Sequence, residues 1–274
     1  MKGPIQSLWI GTGLSTLEKL SIQSFMDHGH AFHLYAYQEL PGLPAGAVLE
    51  DANDVLPSSQ IFQYRDRKSF AAFSNIFRYK LLLERGGWWA DTDMVCLRPL
   101  DLADEYVFVS ETVEWRGATG PQAVVGSCLI KAPAGCPAMS LALDRSLARD
   151  RTTLQWGEIG PRLVGEVIEA EGLQRFVRPP AAFCPIGYGA WRQLIDAQPP
   201  SLPSEAFAVH FWNEMWRLSG QDKDAGYPVD CLYECLKRRH LGRTDTAHDA
   251  ASGGDGGSPA GIPGRVARRA HGSP

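Results

Sequence analysis

Asp91 and Asp93 are separated by one residue in Trp88-Trp89-Ala90-Asp91-Thr92-Asp93, just after Gly86-Gly87. Alternate residues of an extended chain point to one side, so both carboxylates can address one point in space. Two hard oxygen donors placed this way suit Mg²⁺ or Mn²⁺, cations that share ligands with substrate phosphates. A short acidic pair means little on a surface. This pair ends an apolar run, where an uncompensated carboxylate is costly. Upstream, Asn75 and Arg78 fall on one face of any helix that contains both. An amide and a forked guanidinium suit sugar hydroxyls or phosphate oxygens. The plain alternative makes Arg78 a surface salt-bridge residue.

These residues need a helix, a tight turn and a strand to bring them together. Ser69 to Arg85 repeats Phe73, Ile76, Phe77, Leu81 and Leu82 or Leu83 at helical spacing. Gly86-Gly87 ends that helix, since glycine accepts the left-handed conformation of a helix C-terminus. Trp88 to Ala90 then reads as a short strand, resumed over Met94 to Leu97. The chain opens with a strand over Ile5 to Ile10, and a helix follows from Ser15 to about Asp27. Ser15 and Glu18 have the capping-box spacing. Phe32 to Tyr37 alternates as a second strand. This strand–helix–strand opening predicts an α/β sheet with a parallel pair. Pro41 to Pro57 reads as a loop. Further strands are predicted over Tyr106 to Val109, Val124 to Ile130 and Ala206 to Trp212. Helices are predicted over Cys136 to Arg149, Gly160 to Ala170 and Tyr227 to Leu241, the last placing Cys231 and Cys235 one turn apart.

Composition narrows the class. With 44% hydrophobic residues and a net charge of -4, the 274-residue chain suits a globular enzyme and not a nucleic-acid binder. Eight tryptophans are more than a core needs, and some are expected to line a site. The six cysteines form no C-x-x-C pair, which argues against a structural zinc site. The N-terminal residues lack the apolar stretch of a signal peptide, and no run reaches the length of a membrane span. A reduced, cytoplasmic protein is expected, with peripheral membrane contact left open. From residue 242 to 274 the chain turns to Gly, Ser, Ala, Pro and Arg, a composition expected to stay disordered.

The stretch Phe73 to Pro99 resembles the sugar-binding region of DXD glycosyltransferases of the GT32 type. That group includes α1,4-galactosyltransferases and initiating mannosyltransferases, and the glucosylating domains of large toxins are more distant kin. The residues that carry the likeness are Phe77-Arg78-Tyr79, Leu82, Gly86-Gly87, Trp89 and Asp91-Thr92-Asp93, with Trp89 where tyrosine is usual. Pro4 to Gly11 is similar to the family's first strand, and Val209 to Trp216 to its C-terminal His–Trp segment. Together the blocks span most of residues 4 to 217.

The resemblance implies an α/β, single-domain GT-A fold (Rossmann-like, of the nucleotide-diphospho-sugar transferases) over residues 1–241, with 242–274 as tail. It implies retaining transfer of a hexose from a nucleotide sugar to a saccharide or glycolipid, with UDP-sugar ahead of GDP-mannose and Mn²⁺ or Mg²⁺ as cofactor. Asp93 would ligate the metal directly. Asp91 would hold donor ribose or sugar, or the metal through water, and His210 would complete the metal or diphosphate site. Trp9 and Gly11 would meet the base. Asn75, Arg78, Trp89, Trp212 and Asn213 would bind the rest of the donor. Ile159-Gly160-Pro161 resembles a family T-G-P element in an acceptor-side loop, Gln155 to Pro161. Glu158 there is a candidate to stabilise positive charge on the sugar, or a simple helix N-terminal acid.

Two other classes compete. Asp91-Thr92-Asp93-Met94-Val95 resembles the strand end of haloacid-dehalogenase phosphohydrolases. The Gly-Gly pair lies too close to the first acid for that family, and no later acidic pair is convincing. A module that binds nucleotide sugar without turning it over is the third reading.

Overall fold

Adjacent tryptophans announce how the sheet is buried. Trp88 enters one apolar core and Trp89 the other, because neighbouring residues of a strand point to opposite faces. A sheet filled on both sides must carry helices on both sides, the condition for parallel strands. The computed structural model describes residues 3–114 and 120–242. Nearly all of the expected tail lies outside them.

The elements run β1 (Ile5–Trp9), α1 (Thr16–Asp27), β2 (Phe32–Ala36), β3 (Val48–Asp51), α2 (Ala71–Arg85), β4 (Gly87–Ala90), β5 (Met94–Cys96), β6 (Val107–Val113), β7 (Gln122–Ala132), α3 (Pro137–Leu147), α4 (Leu163–Ala170), β8 (Val177–Arg178), α5 (Pro180–Phe183), β9 (Ala208–His210), α6 (Asn213–Ser219) and α7 (Leu232–His240). Seven strands form one sheet in the order β3-β2-β1-β4-β7-β6-β8, and β5 pairs with β9 in a second, two-stranded sheet. Strands β3, β2, β1 and β4 run parallel, whereas β7 is antiparallel to both β4 and β6. The α/β architecture with a parallel strand pair expected from the sequence is present.

The capping box at Ser15 forms, with the Glu18 carboxylate accepting the Ser15 backbone N–H at 2.8 Å. Helix α1 stops at Gly29, whose φ is +80°. Gly86 has φ +63°, and a Cβ there would lie 2.5 Å from the Ala134 nitrogen, so only glycine lets α2 turn directly into β4. Three expectations are corrected. Residues 48 to 51, expected as loop, form β3, an edge strand whose mostly exposed side chains carry no alternating signal. The expected helix from Gly160 begins as an irregular turn, Glu158–Arg162, because Gly160 (φ -109°, ψ -117°) is not helical. The last helix starts at Leu232, with Cys231 as its N-cap, several residues later than expected.

Candidate active site

In an open α/β sheet, ligands bind beyond the carboxyl ends of the strands where the strand order reverses. Here that point lies between β1, which leads outward to β2 and β3, and β4, on its other side. Trp9 ends β1 and Asp91 follows β4. The chain then bends so that the Met94 N–H reaches the Asp91 carbonyl at 3.0 Å. Strand β5 pairs with β9 in a register that sets Met94 opposite His210. That pairing brings residues from the middle and the end of the chain together.

Asp91 and Asp93 are each steered by one oxygen. Asp91 Oδ1 accepts from Arg78 Nη2 at 2.6 Å and from Trp89 Nε1 at 2.8 Å. Asp93 Oδ2 faces His210 Nε2 at 3.2 Å and accepts the Asn213 backbone N–H at 2.6 Å. Backbone holds the frame, with the Asp91 N–H on the Cys128 carbonyl at 2.7 Å and the Phe211 N–H on the Asp93 carbonyl at 2.9 Å. Ligand atoms of Asp91, Asp93 and His210 all lie within 4.8 Å of one another.

The charges are set by the surroundings. Burial raises the Asp91 pKa and the Asp93 charge adds to this, while Arg78 opposes it. Burial also works against ionised Asp93, but His210 and the Asn213 N–H outweigh it and the pKa falls. For His210, burial favours the neutral ring, yet the Asp93 charge and the Cys128 thiol beside it push the pKa well above the ordinary value. The donor set fits a divalent cation. Two acids would otherwise repel at close range, and His210 Nε2 lies 3.2 Å from one of them. Oxygen donors with one imidazole suit Mn²⁺ or Mg²⁺, Mn²⁺ accepting the nitrogen more readily.

The other expected site residues separate into two groups. Asn75 lies on α2 beside the irregular turn, where a Cβ on Gly160 would come within 2.9 Å of its Nδ2. Trp9 closes on the Gly11–Gly13 loop, its indole N–H donating to the Gly13 carbonyl at 3.0 Å. A Cβ on Gly11 would lie 3.0 Å from that indole nitrogen. Asn213 offers its side-chain oxygen to Lys223 at 3.0 Å, and the Lys223 ammonium lies 5.8 Å from the Trp9 ring centroid. The Glu158 carboxylate accepts the Gln155 N–H at 3.0 Å and lies 3.6 Å from Arg149.

Arg78 and Trp89, expected to touch the donor, both hydrogen-bond Asp91 Oδ1. Both are buried, at 3% and 1% exposure. Arg78 spends its guanidinium on Asp91 and the Ser127 carbonyl and lies 4.8 Å from the Trp89 ring centroid. They hold Asp91 in place, and the buried Arg78 Nε has no hydrogen-bond partner. Trp212 is also buried. Its ring lies 3.9 Å, centroid to centroid, from His210, and its indole donates to the Ile186 carbonyl at 2.9 Å. Among the described residues only Trp212 combines a side chain with positive φ, at 55°. Such strain costs about 1–3 kcal/mol and tends to persist at functional sites.

Sequence reasoning missed Glu111, Lys223 and Ser127. Glu111, on β6, feels the charges of His210 and Asp91, and burial raises its pKa. None of the three belongs to a local motif, so no spacing signal could have found them. The cysteines Cys128 and Cys184 were also passed over, and they lie beside His210.

An acid pair and a histidine at the switch point of a mostly parallel sheet provide a place for a cation and a phosphorylated ligand. Residues 18–109 match the family described as the glycosyltransferase sugar-binding region containing DXD motif. The match takes in Asn75, Arg78, Asp91 and Asp93. Among solved structures, the PaToxG glycosyltransferase is 17% identical, over 64% of this chain and 72% of that one, with a TM-score of 0.43. The UDP-bound glycosyltransferase domain from the YGT toxin is 10% identical over 65% and 79%, TM-score 0.43. The glycosyltransferase GlyE of Streptococcus pneumoniae is 12% identical over 81% and 62%, TM-score 0.42. No residue role follows from likeness at that level. No curated protein sequence matches the chain.

Proposed function

We propose that this protein is a metal-dependent, retaining glycosyltransferase of the GT32 type that moves a hexose from a nucleotide sugar to a saccharide or glycolipid. The convergence of Asp91, Asp93 and His210 within 4.8 Å carries the reading. A UDP-sugar is the favoured donor, ahead of GDP-mannose. Polysaccharide synthesis in a reducing, cytoplasmic setting is the favoured context. No helix among the described residues is long and apolar enough to cross a membrane.

Asp93, His210 and Asp91 would hold the cation, Mn²⁺ before Mg²⁺. When bound, it supplies positive charge against the charge that grows on the leaving diphosphate. The chain's own residues do the rest. Trp9 offers a flat face for the base beside Gly11, and Lys223, ion-paired with Glu18, ties Trp9 to Asn213. Asn75 offers its amide to the transferred sugar from the α2 side. Arg78 and Trp89 fix Asp91, so the site is preorganised before donor arrives. Glu158, on the loop read as the acceptor side, would stabilise positive charge on the sugar. The acceptor hydroxyl attacks from the face the diphosphate leaves, and the departing phosphate takes its proton, which preserves the anomeric configuration. Holding both substrates here removes much of the entropic barrier.

The test is a thermal-shift screen of nucleotide sugars with and without Mn²⁺, because a ligand specific to the folded state raises the melting temperature. A UDP-sugar together with Mn²⁺ is expected to give the largest rise. Asp93→Ala is expected to abolish it and to lower turnover by about 100-fold or more. Full metal-dependent turnover in folded Asp93→Ala protein would reject the site. Phosphate release from simple phosphomonoesters would favour the phosphohydrolase instead. Donor binding with neither hydrolysis nor transfer would favour the binding module.

A further inference from the structure

Beside His210, two thiols meet. Cys128 on β7 and Cys184 just after α5 have their sulfurs 3.7 Å apart. Ligand atoms of Cys128, Cys184 and His210 all lie within 4.8 Å of one another. All three are buried, at 3%, 0% and 8% exposure. We propose that Cys128, Cys184 and His210 form a second metal site, selective for a soft cation such as Zn²⁺, that shares His210 with the acid pair and inhibits the enzyme when filled.

The ligand chemistry separates the two sites. Thiolates select zinc and other soft ions, whereas carboxylates select Mg²⁺ and Mn²⁺. The geometry agrees: two thiolates on one tetrahedral zinc, each at about 2.3 Å, stand about 3.8 Å apart. The observed sulfur separation needs almost no adjustment to reach that distance. It is far too long for a disulfide, which would need the sulfurs at about 2.05 Å.

Each ligand is also held by its backbone. The Cys128 carbonyl accepts the Asp91 N–H at 2.7 Å, and the Cys184 N–H donates to the Pro180 carbonyl at 2.8 Å. His210 is fixed in the β5–β9 ladder. Two buried thiols in contact can be simple packing, since cysteine behaves as a small hydrophobe. Packing alone does not account for a buried imidazole set against both thiols while its other side faces Asp93. On binding, the two thiols release their protons to solvent, and the imidazole contributes a lone pair that the acid pair's cation would otherwise use. The inhibitory consequence rests on the function proposed above, but the binding site does not.

The experiment uses reduced, metal-free, full-length protein. Co²⁺ serves as a spectroscopic probe for the zinc position, and bound zinc is counted after gel filtration. The wild type is expected to show the thiolate-to-cobalt charge-transfer band and to retain about one zinc per chain. Cys184→Ser and Cys128→Ser, each checked for native melting behaviour, are expected to lose the band and to bind zinc roughly tenfold or more weakly. In the kinetic arm, zinc is added to Mn²⁺-supported turnover. It is expected to inhibit the wild type and to need roughly tenfold more metal to inhibit Cys184→Ser. Absence of the band in the wild type, or zinc binding that survives both substitutions, overturns the site. Zinc held without loss of turnover overturns the sharing of His210. A wild type inactive with every donor would count against the transferase reading, and the cobalt band would still report the site.

Discussion

Arg78→Met separates two roles for the arginine. As a donor contact, its loss would raise KM and leave the melting temperature alone. The structure makes it the partner of Asp91 instead, 2.6 Å away and 3% exposed. Removing one member of a buried ion pair costs about 3–5 kcal/mol, because the other charge is left uncompensated. The Asp91 side chain keeps 29% exposure, and water there screens part of the lost field. That moves the expectation to the lower end, about 3 kcal/mol. A domain of this size loses about 2–4 °C per kcal/mol, so the melting temperature of apo protein should fall by roughly 6–12 °C. Adding Asp91→Asn to Arg78→Met removes the orphaned charge. It should recover about 2 kcal/mol of stability while activity stays lost. Thermal or urea unfolding of the four proteins at neutral pH completes the cycle. An Arg78→Met protein with unchanged stability and only a raised donor KM would refute the positioning role, and so would independent, additive effects of the two substitutions.

Three further outcomes can be checked. Gly160→Ala introduces a Cβ within 2.9 Å of Asn75 Nδ2. It should lower kcat/KM by about 10- to 100-fold, since small displacements of a substrate-positioning group are costly, with little change in melting temperature. Trp9→Ala removes the proposed base platform. Donor affinity should weaken by about 1–3 kcal/mol, roughly 5- to 150-fold, in a calorimetric titration. Glu111 has its pKa raised, first by burial and further by Asp91, with His210 opposing. An acid with a raised folded-state pKa costs stability as pH climbs above its unfolded value. Glu111→Gln should therefore melt higher than wild type at neutral pH, and the gain should shrink to nothing near pH ~4. An equal gain at both pH values would contradict that origin.

What the sequence determined by itself was everything local. Helix α2 with its apolar repeat, the Gly86-Gly87 turn, β4 and the acid pair are contiguous, and their spacing dictates both the elements and the common direction of the carboxylates. Ser15 and Glu18 marked the start of α1 in the same way. Strand β3 escaped because an exposed edge strand has no buried face to impose a pattern. The start of α4 escaped because a non-helical glycine hides inside a helical composition.

The roles within the site belonged to tertiary structure. Nothing in the motif says that Trp89 and Arg78 turn inward to grip Asp91; two-sided burial of β4 decides that. The resemblance put His210 in the site, but the β5–β9 register sets it against Asp93. The lack of a C-x-x-C pair argued against zinc, yet Cys128, Cys184 and His210 converge from distant parts of the chain. Sequence patterns report ligands that are neighbours along the backbone. Side chains carried on three separate elements meet only once the sheet has packed, and no spacing rule reaches that far.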